Sequence, residues 1–161
     1  VKDCNIYYFE EPNTPTFYNN KYVKDNIEMP VSQGERVFGR WEYLGYFLGN
    51  SVQVIQPDIG NAGGITETKK LCDMAYVFDV GVQVHTCASH LLTPPSVQLE
   101  ACIPNFVIHE QHMRSLNPAN QELTTKVVLP EKGYLKVEDD IGLGIEWSEK
   151  ALASEEQIIL E

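Results

Sequence analysis

Apolar and polar positions alternate along the 161-residue chain in two rhythms. Short runs rich in β-branched and aromatic residues each end in one polar residue, and a segment with apolar residues at helical spacing follows. Asn5 to Phe9 (NIYYF) stops at Glu10-Glu11-Pro12, where the proline bars continuation. Val31 to Gln33 leads to Gly34-Glu35, Val52 to Gln56 to Pro57-Asp58, Val80 to Val84 to His85, and Asn105 to Ile108 to Glu110. Between these runs Thr16 to Asn26 predicts a weak helix and Arg40 to Leu48 a helix with aromatic residues on its apolar side. After the glycine turn of Gly60, Gly63 and Gly64, Thr66 to Phe78 carries Leu71, Met74, Ala75 and Phe78 on one face, with Thr66 as N-cap or first-turn residue. Pro95 to Cys102 predicts another helix. A strand recurs about every 25 residues, the size of a βα unit with short loops, so a parallel sheet in an α/β fold is expected.

A (β/α) barrel places its chemistry at the C-terminal ends of its strands, which is where Glu10, Glu35, Asp58, His85 and Glu110 fall. A closed TIM-type barrel needs eight strands and five are found, so the expectation is strands 4 to 8 of such a barrel, the back part of a larger one. Residues 1–125 are then a partial barrel, and 126–161 a C-terminal tail covering the barrel or a cap. Within the later stretch, residues 112–126 look irregular, Gly133 to Val137 reads as one strand of a small hairpin, Gly142 to Ile145 as a turn, and Ile158 to Leu160 as a frayed end.

Side chains alternate across a strand, so the residue two before each polar tip shares its face. Those residues are Tyr8, Gln33, Gln56, Gln83 and Ile108. Barrel interiors are usually filled by Val, Ile and Leu, and three glutamines one layer below a ring of acids and a histidine read as hydrogen-bond partners that hold the ring. Glu10 and Glu35, one βα unit apart, bring two carboxylates together. Like charges that close stay ionised only with a cation between them, and hard oxygen ligands suit Mg2+. Two solvated glutamates at loop starts are the plainer alternative. Asp58 and His85 on neighbouring strands are placed to form a dyad in which the carboxylate fixes the imidazole tautomer. His109 alternates with Glu110 and is expected to point outward to the helices, while His90 and His112 are weaker candidates on loop or helix segments.

The net charge of -11 comes with only 12 Lys and Arg, scattered, which argues against a nucleic-acid partner. No apolar run approaches the roughly 20 residues of a membrane helix, and the first residues lack a signal-peptide layout, so a soluble cytoplasmic protein is expected. Cys4, Cys72, Cys87 and Cys102 show no CxxC spacing and are expected as reduced, mostly buried thiols.

The segments FEEP, GERVFGRW, IQPDIGNAGGITETKKL, VQVH and IHEQ together resemble the C-terminal barrel portion of the enolase superfamily, in its mandelate racemase branch. Within that branch the chain is most similar to acid-sugar dehydratases of the galactonate dehydratase type. The resemblance implies that Glu10 and Glu35 are the second and third carboxylates of a Mg2+ site, with Glu10 preferred over Glu11 as the first acid of the EEP-type motif. It implies that Asp58 and His85 form the catalytic dyad and that Glu110 hydrogen-bonds the substrate carboxylate. The implied reaction removes the α-proton of an aldonate such as galactonate through a metal-stabilised enediolate and expels the β-hydroxyl, giving a 2-keto-3-deoxy acid. The family's first metal carboxylate, further acid/base residues and capping domain precede the part matched here. The 161 residues alone are therefore expected to be inactive, and the full-length protein to be a homo-oligomer acting on a small sugar acid. The alternatives are a non-catalytic remnant serving as a binding or scaffold protein, and a racemase or cycloisomerase of the same superfamily.

Overall fold

The computed structural model describes residues 2–154; the expected frayed end at 158–160 lies outside the described residues. Four parallel strands form one sheet in chain order: β1 (Phe9–Glu10), β2 (Val31–Gln33), β3 (Val54–Ile55) and β4 (Gly81–Val82). Phe9 pairs with Val31, Ser32 with Val54, and Val54 with Gly81. The fifth expected run joins by a single parallel bridge, Val82 to Phe106, with the Val82 amide donating to the Asn105 carbonyl at 2.8 Å and the Val107 amide to the Val82 carbonyl at 2.9 Å. All five runs are therefore parallel neighbours, but the last is a bridge and not a strand.

The helices follow the expected alternation: α1 (Phe17–Asn26), α2 (Gly39–Leu48), α3 (Gly64–Val77) and α4 (Thr93–Ala101), with short α5 (Pro118–Gln121) and α6 (Glu149–Ser154) later in the chain. Thr16 caps α1, its hydroxyl accepting from the Asn19 amide at 3.3 Å. The α3 helix starts two residues before Thr66, because Gly63 and Gly64, at φ of 105° and 84°, turn the chain through the left-handed region that glycine tolerates. Its buried stripe is Thr68, Leu71, Cys72 and Ala75, while Phe78 ends the helix and stacks on Phe47 at 5.3 Å.

Two further expectations are corrected. Asn5 to Phe9 is strand only at its end: Asn5 sits at φ 50°, which breaks extended backbone, and Lys2–Cys4 form a 3-10 turn. Gly133 to Val137 is not a strand either. Lys132 and Gly133, both at positive φ, make a tight turn closed by one antiparallel bridge between Glu131 and Tyr134. Residues 112–126 are more regular than expected, with a 3-10 turn at Met113–Leu116 and then α5.

Compactness groups the chain into two units, one of residues up to His85 with Leu99–Glu110, the other of Thr86–Gln98 with the residues from Gln111 on. In the first unit the α2 residues Tyr43, Tyr46 and Phe47, the α3 residues Leu71, Cys72 and Ala75, and the sheet residues Ile55, Val82 and Val84 bury one apolar core. The second unit contains an antiparallel bridge of Thr124 with Trp147 and a fully buried His90, whose Nε2 lies 2.6 Å from the Thr124 hydroxyl. The four cysteines are free, but only Cys72 is buried; Cys4 and Cys102 are exposed, and their apolar sequence neighbours do not cover them. Among the described residues no helix is long and apolar enough to cross a membrane.

Candidate functional site

All five strand-end residues lie in the first unit. Asp58 and His85 form a parallel bridge beyond the ends of β3 and β4, so the ladder that sets the sheet also sets this pair side by side. His85 Nδ1 is 2.8 Å from Asp58 Oδ2. The other carboxylate oxygen of Asp58 accepts from the amides of Gly60 at 2.7 Å and Asn61 at 3.2 Å. The PDIGN turn thus satisfies one oxygen with backbone and aims the other at the imidazole. Asp58 is buried, and an ionised carboxylate there is held by three donors.

On the opposite side of the ring, His85 Nε2 lies 2.9 Å from Glu35 Oε2. Two carboxylates therefore flank one imidazole. The Asp58 hydrogen bond raises the His85 pKa above its ordinary value against the opposing effect of burial, with the charges of Glu110, Glu35 and Asp58 adding to the rise. The protonated ring, donating from both nitrogens, satisfies both acids.

Glu35 is delivered by Gly34, where a Cβ would meet the Gln56 backbone and the Tyr43 hydroxyl at 2.5 Å, so that only glycine fits between β2 and its neighbour. Tyr43 donates to the Gly34 carbonyl at 2.9 Å. Glu11 is committed elsewhere: its Oε1 accepts from the Gly34 amide at 3.0 Å and its Oε2 from Arg36 Nε at 2.9 Å. Glu10 is exposed and makes no hydrogen bond or ion pair with the described residues. Among those residues no three His, Cys, Asp or Glu side chains are grouped closely enough to hold a metal ion.

The glutamine layer is real but uneven. Gln33, Gln56 and Gln83 are all buried. Gln83 Nε2 donates to Glu110 Oε2 at 3.1 Å, Gln56 Nε2 donates to Gln83 Oε1 at 3.2 Å, and the Tyr8 hydroxyl donates to the same Gln83 oxygen. Gln33, in contrast, touches none of the acids, and its amide atoms have no partner among the described residues. Ile108 is about half exposed rather than packed on a barrel axis. His109 does lie outward: Nδ1 is 2.7 Å from Glu100 Oε2 of α4, and burial raises the Glu100 pKa despite that pairing. His112 caps the 3-10 turn at Met113, accepting from the Arg114 amide at 3.1 Å. Sequence reasoning missed Glu100, and it placed Tyr8 in the layer below Glu10 without its contact to Gln83. The polar Glu100 inside a helix with a weakly amphipathic pattern was the one available signal for the first.

A family profile described as "Enolase C-terminal domain-like" matches residues 1–151, and the chain belongs to that family. More particularly, it is 27% identical over 146 residues to D-xylonate dehydratase of Haloferax volcanii, covering 90% of this chain and 35% of that protein. It is 28% identical over 162 residues to D-galactonate dehydratase of Cronobacter sakazakii, covering 91% of this chain and 42% of the relative. A crystal structure of a member of the enolase superfamily from Salmonella Typhimurium superposes with a TM-score of 0.89 at 41% identity, covering 92% of this chain and 39% of that one. The chain thus spans about two fifths of the length of these relatives.

Proposed function

We propose that this chain supplies part of the active site of a Mg2+-dependent acid-sugar dehydratase. The observation that carries the proposal is the Asp58–His85 pair at 2.8 Å, built by bridging strand ends in a chain similar to D-xylonate and D-galactonate dehydratases. Because those relatives are more than twice as long, the activity belongs to a polypeptide of their length carrying these residues.

Within that reading His85 Nε2 is the atom at which a proton moves, taking the α-proton of the sugar acid or donating to the departing β-hydroxyl. Asp58 fixes Nδ1 as the protonated nitrogen, so that Nε2 faces the reaction, and it stabilises the imidazolium once formed. Glu110 contacts the substrate carboxylate. Removal of the α-proton and the β-hydroxyl as one water leaves an enol that becomes the 2-keto-3-deoxy acid.

Glu10 and Glu35 are the residues that would hold Mg2+. Two carboxylates, one without a partner and both reached by solvent, have the oxygen chemistry of such a site, while Glu11 is excluded by its engagement with Arg36 and Gly34. Bound there, the ion supplies positive charge that acidifies the α-proton. Glu35, which would hold the ion, is also the residue that faces His85 Nε2, the nitrogen assigned as the base, at 2.9 Å.

The test is formation of keto acid from a panel of aldonates, together with exchange of the α-proton in deuterated water, by a polypeptide of the relatives' length carrying this chain. Mg2+-dependent turnover that His85→Asn abolishes is the expected result. Turnover or exchange unaffected by that substitution would reject the assignment.

A further inference from the structure

We propose that Glu11 is a positioning residue that holds the Arg36 guanidinium away from Glu35, so that the Glu35 carboxylate is left to a divalent cation. The inference rests on the reading of Glu35 as a residue that holds Mg2+.

Glu11 follows β1 in a left-handed conformation, at φ 45°, which is uncommon for a residue with a Cβ and which glycine would take without strain. Its amide still extends the β1–β2 ladder, donating to the Ser32 carbonyl at 3.1 Å. Its side chain is only 14% exposed and is engaged through both oxygens. Oε1 accepts from the Gly34 amide at 3.0 Å, and Oε2 accepts from Arg36 Nε at 2.9 Å and from Arg36 Nη2. The Gly34 carbonyl accepts in turn from the Val37 amide at 3.0 Å and the Tyr43 hydroxyl at 2.9 Å. The backbone that precedes Glu35 is therefore held from both sides.

Arg36 has two acids within reach. Its Nε stands 3.9 Å from Glu35 Oε1, while the other oxygen of Glu35 meets His85. That distance is too long for a hydrogen bond, yet the guanidinium is half-exposed, and a shift of about 1 Å would bring it to the length of a charged N–H···O contact. Arg36 paired there would occupy an oxygen that a cation needs. Glu11 prevents this by taking two donors of the guanidinium on one oxygen, and Nη2 also donates to the Asn13 carbonyl at 3.4 Å.

Only a carboxylate serves between these groups. The Gly34 N–H and the guanidinium are both donors, and an acceptor-only side chain satisfies the two together. A glutamine has one oxygen and one NH2, so whichever way its amide turns it presents a donor to one of them. Without the Glu11 charge, Glu35 is the one remaining carboxylate within 4.0 Å of Arg36 among the described residues.

The test measures the Mg2+ dissociation constant by calorimetry in a metal-stripped polypeptide of the relatives' length carrying Glu11→Gln, Arg36→Met or both. Glu11→Gln alone is expected to weaken Mg2+ binding about 5-fold, the scale of one exposed ion pair. Adding Arg36→Met is expected to recover most of that loss, although Arg36→Met alone changes the constant by about 2-fold or less. Through-space charge by itself would make Arg36→Met tighten binding by the same factor with or without Glu11, and loosened packing by itself would leave the double variant as weak as Glu11→Gln. Equal factors, or no recovery, would overturn the proposal. A crystal structure of the metal-free Glu11→Gln protein gives a readout without the ion: Arg36 is expected within hydrogen-bond distance of Glu35, and a guanidinium that stays clear of Glu35 would also overturn it. Glu35→Gln keeps failure of the underlying reading apart. Mg2+ affinity unaltered by that variant would reject Glu35 as a metal residue and the proposal with it, whereas lowered affinity upholds the reading, and the Glu11–Arg36 cycle then judges Glu11 alone.

Discussion

At His85 two effects of opposite sign compete. Burial favours the neutral ring, and the hydrogen bond to Asp58 with three nearby acids favours the charged one; the acids win. Because the folded pKa lies above the roughly 6.5 of an unfolded imidazole, the stabilisation is complete below about pH 6.5 and is lost as pH rises through the folded value. Asp58→Asn keeps an oxygen for the Gly60 and Asn61 amides but removes the charge. It is expected to bring the His85 titration back toward the ordinary value and to cost about 1–3 kcal/mol of stability at pH 6, less at pH 9, as read by imidazole NMR and urea unfolding at the two pH values. At Glu100 the shift is also upward, but there burial wins over pairing. Its carboxyl is raised by burial, so the folded chain binds protons more tightly than the unfolded one from about pH 4.3 upward, and stability declines with rising pH across that window. Glu100→Gln is expected to flatten the decline, and a decline of undiminished slope would show that another group causes it.

Elements were legible in the sequence where a period was long and ends were punctuated. The α3 helix, with its glycine turn and apolar stripe, and the order of the parallel runs both follow from local pattern. Strand ends were less legible: the run was started at Asn5, yet asparagine is poorly suited to strands and readily takes the left-handed conformation it has here. Within the site, the Asp58–His85 contact followed from adjacent strand tips. The contact of His85 with Glu35 did not, since it depends on how far a flexible glutamate reaches across from β2. Nor did the failure of Gln33 to find a partner, although it occupies the same layer as Gln56 and Gln83. Gly34 shows how an element boundary carries the site. Gly34→Ala would drive a methyl group into backbone of the neighbouring strand end at 2.5 Å, and overpacking of this kind costs about 1–3 kcal/mol. The expected outcome is a lower urea midpoint at unchanged slope, together with loss of the His85–Glu35 contact as seen in the imidazole spectrum.

For the chain as a whole, charge and exposed apolar surface pull in opposite directions. The first unit leaves Tyr18 and Tyr22 on α1 and Trp41, Leu44 and Leu48 on α2 open to solvent, in each case at helical spacing that puts them on one stripe. Apolar stripes of this extent on helices favour association. The net charge of -11 opposes it, since each chain repels the next, and that repulsion is the part that salt screens, over about 10 Å at 0.1 M. Sedimentation of the 161-residue chain is therefore expected to show self-association that strengthens from low to high salt, the reverse of what ion-paired contacts would give. Trp41→Lys, which removes the most exposed of the α2 residues, is expected to weaken association at every salt concentration. It is expected to leave the Asp58–His85 imidazole spectrum unchanged, because the stripe faces away from the core that holds those strand ends. Association that weakens with added salt, or that is indifferent to Trp41→Lys, would place the contact on charged surface instead of on these helices.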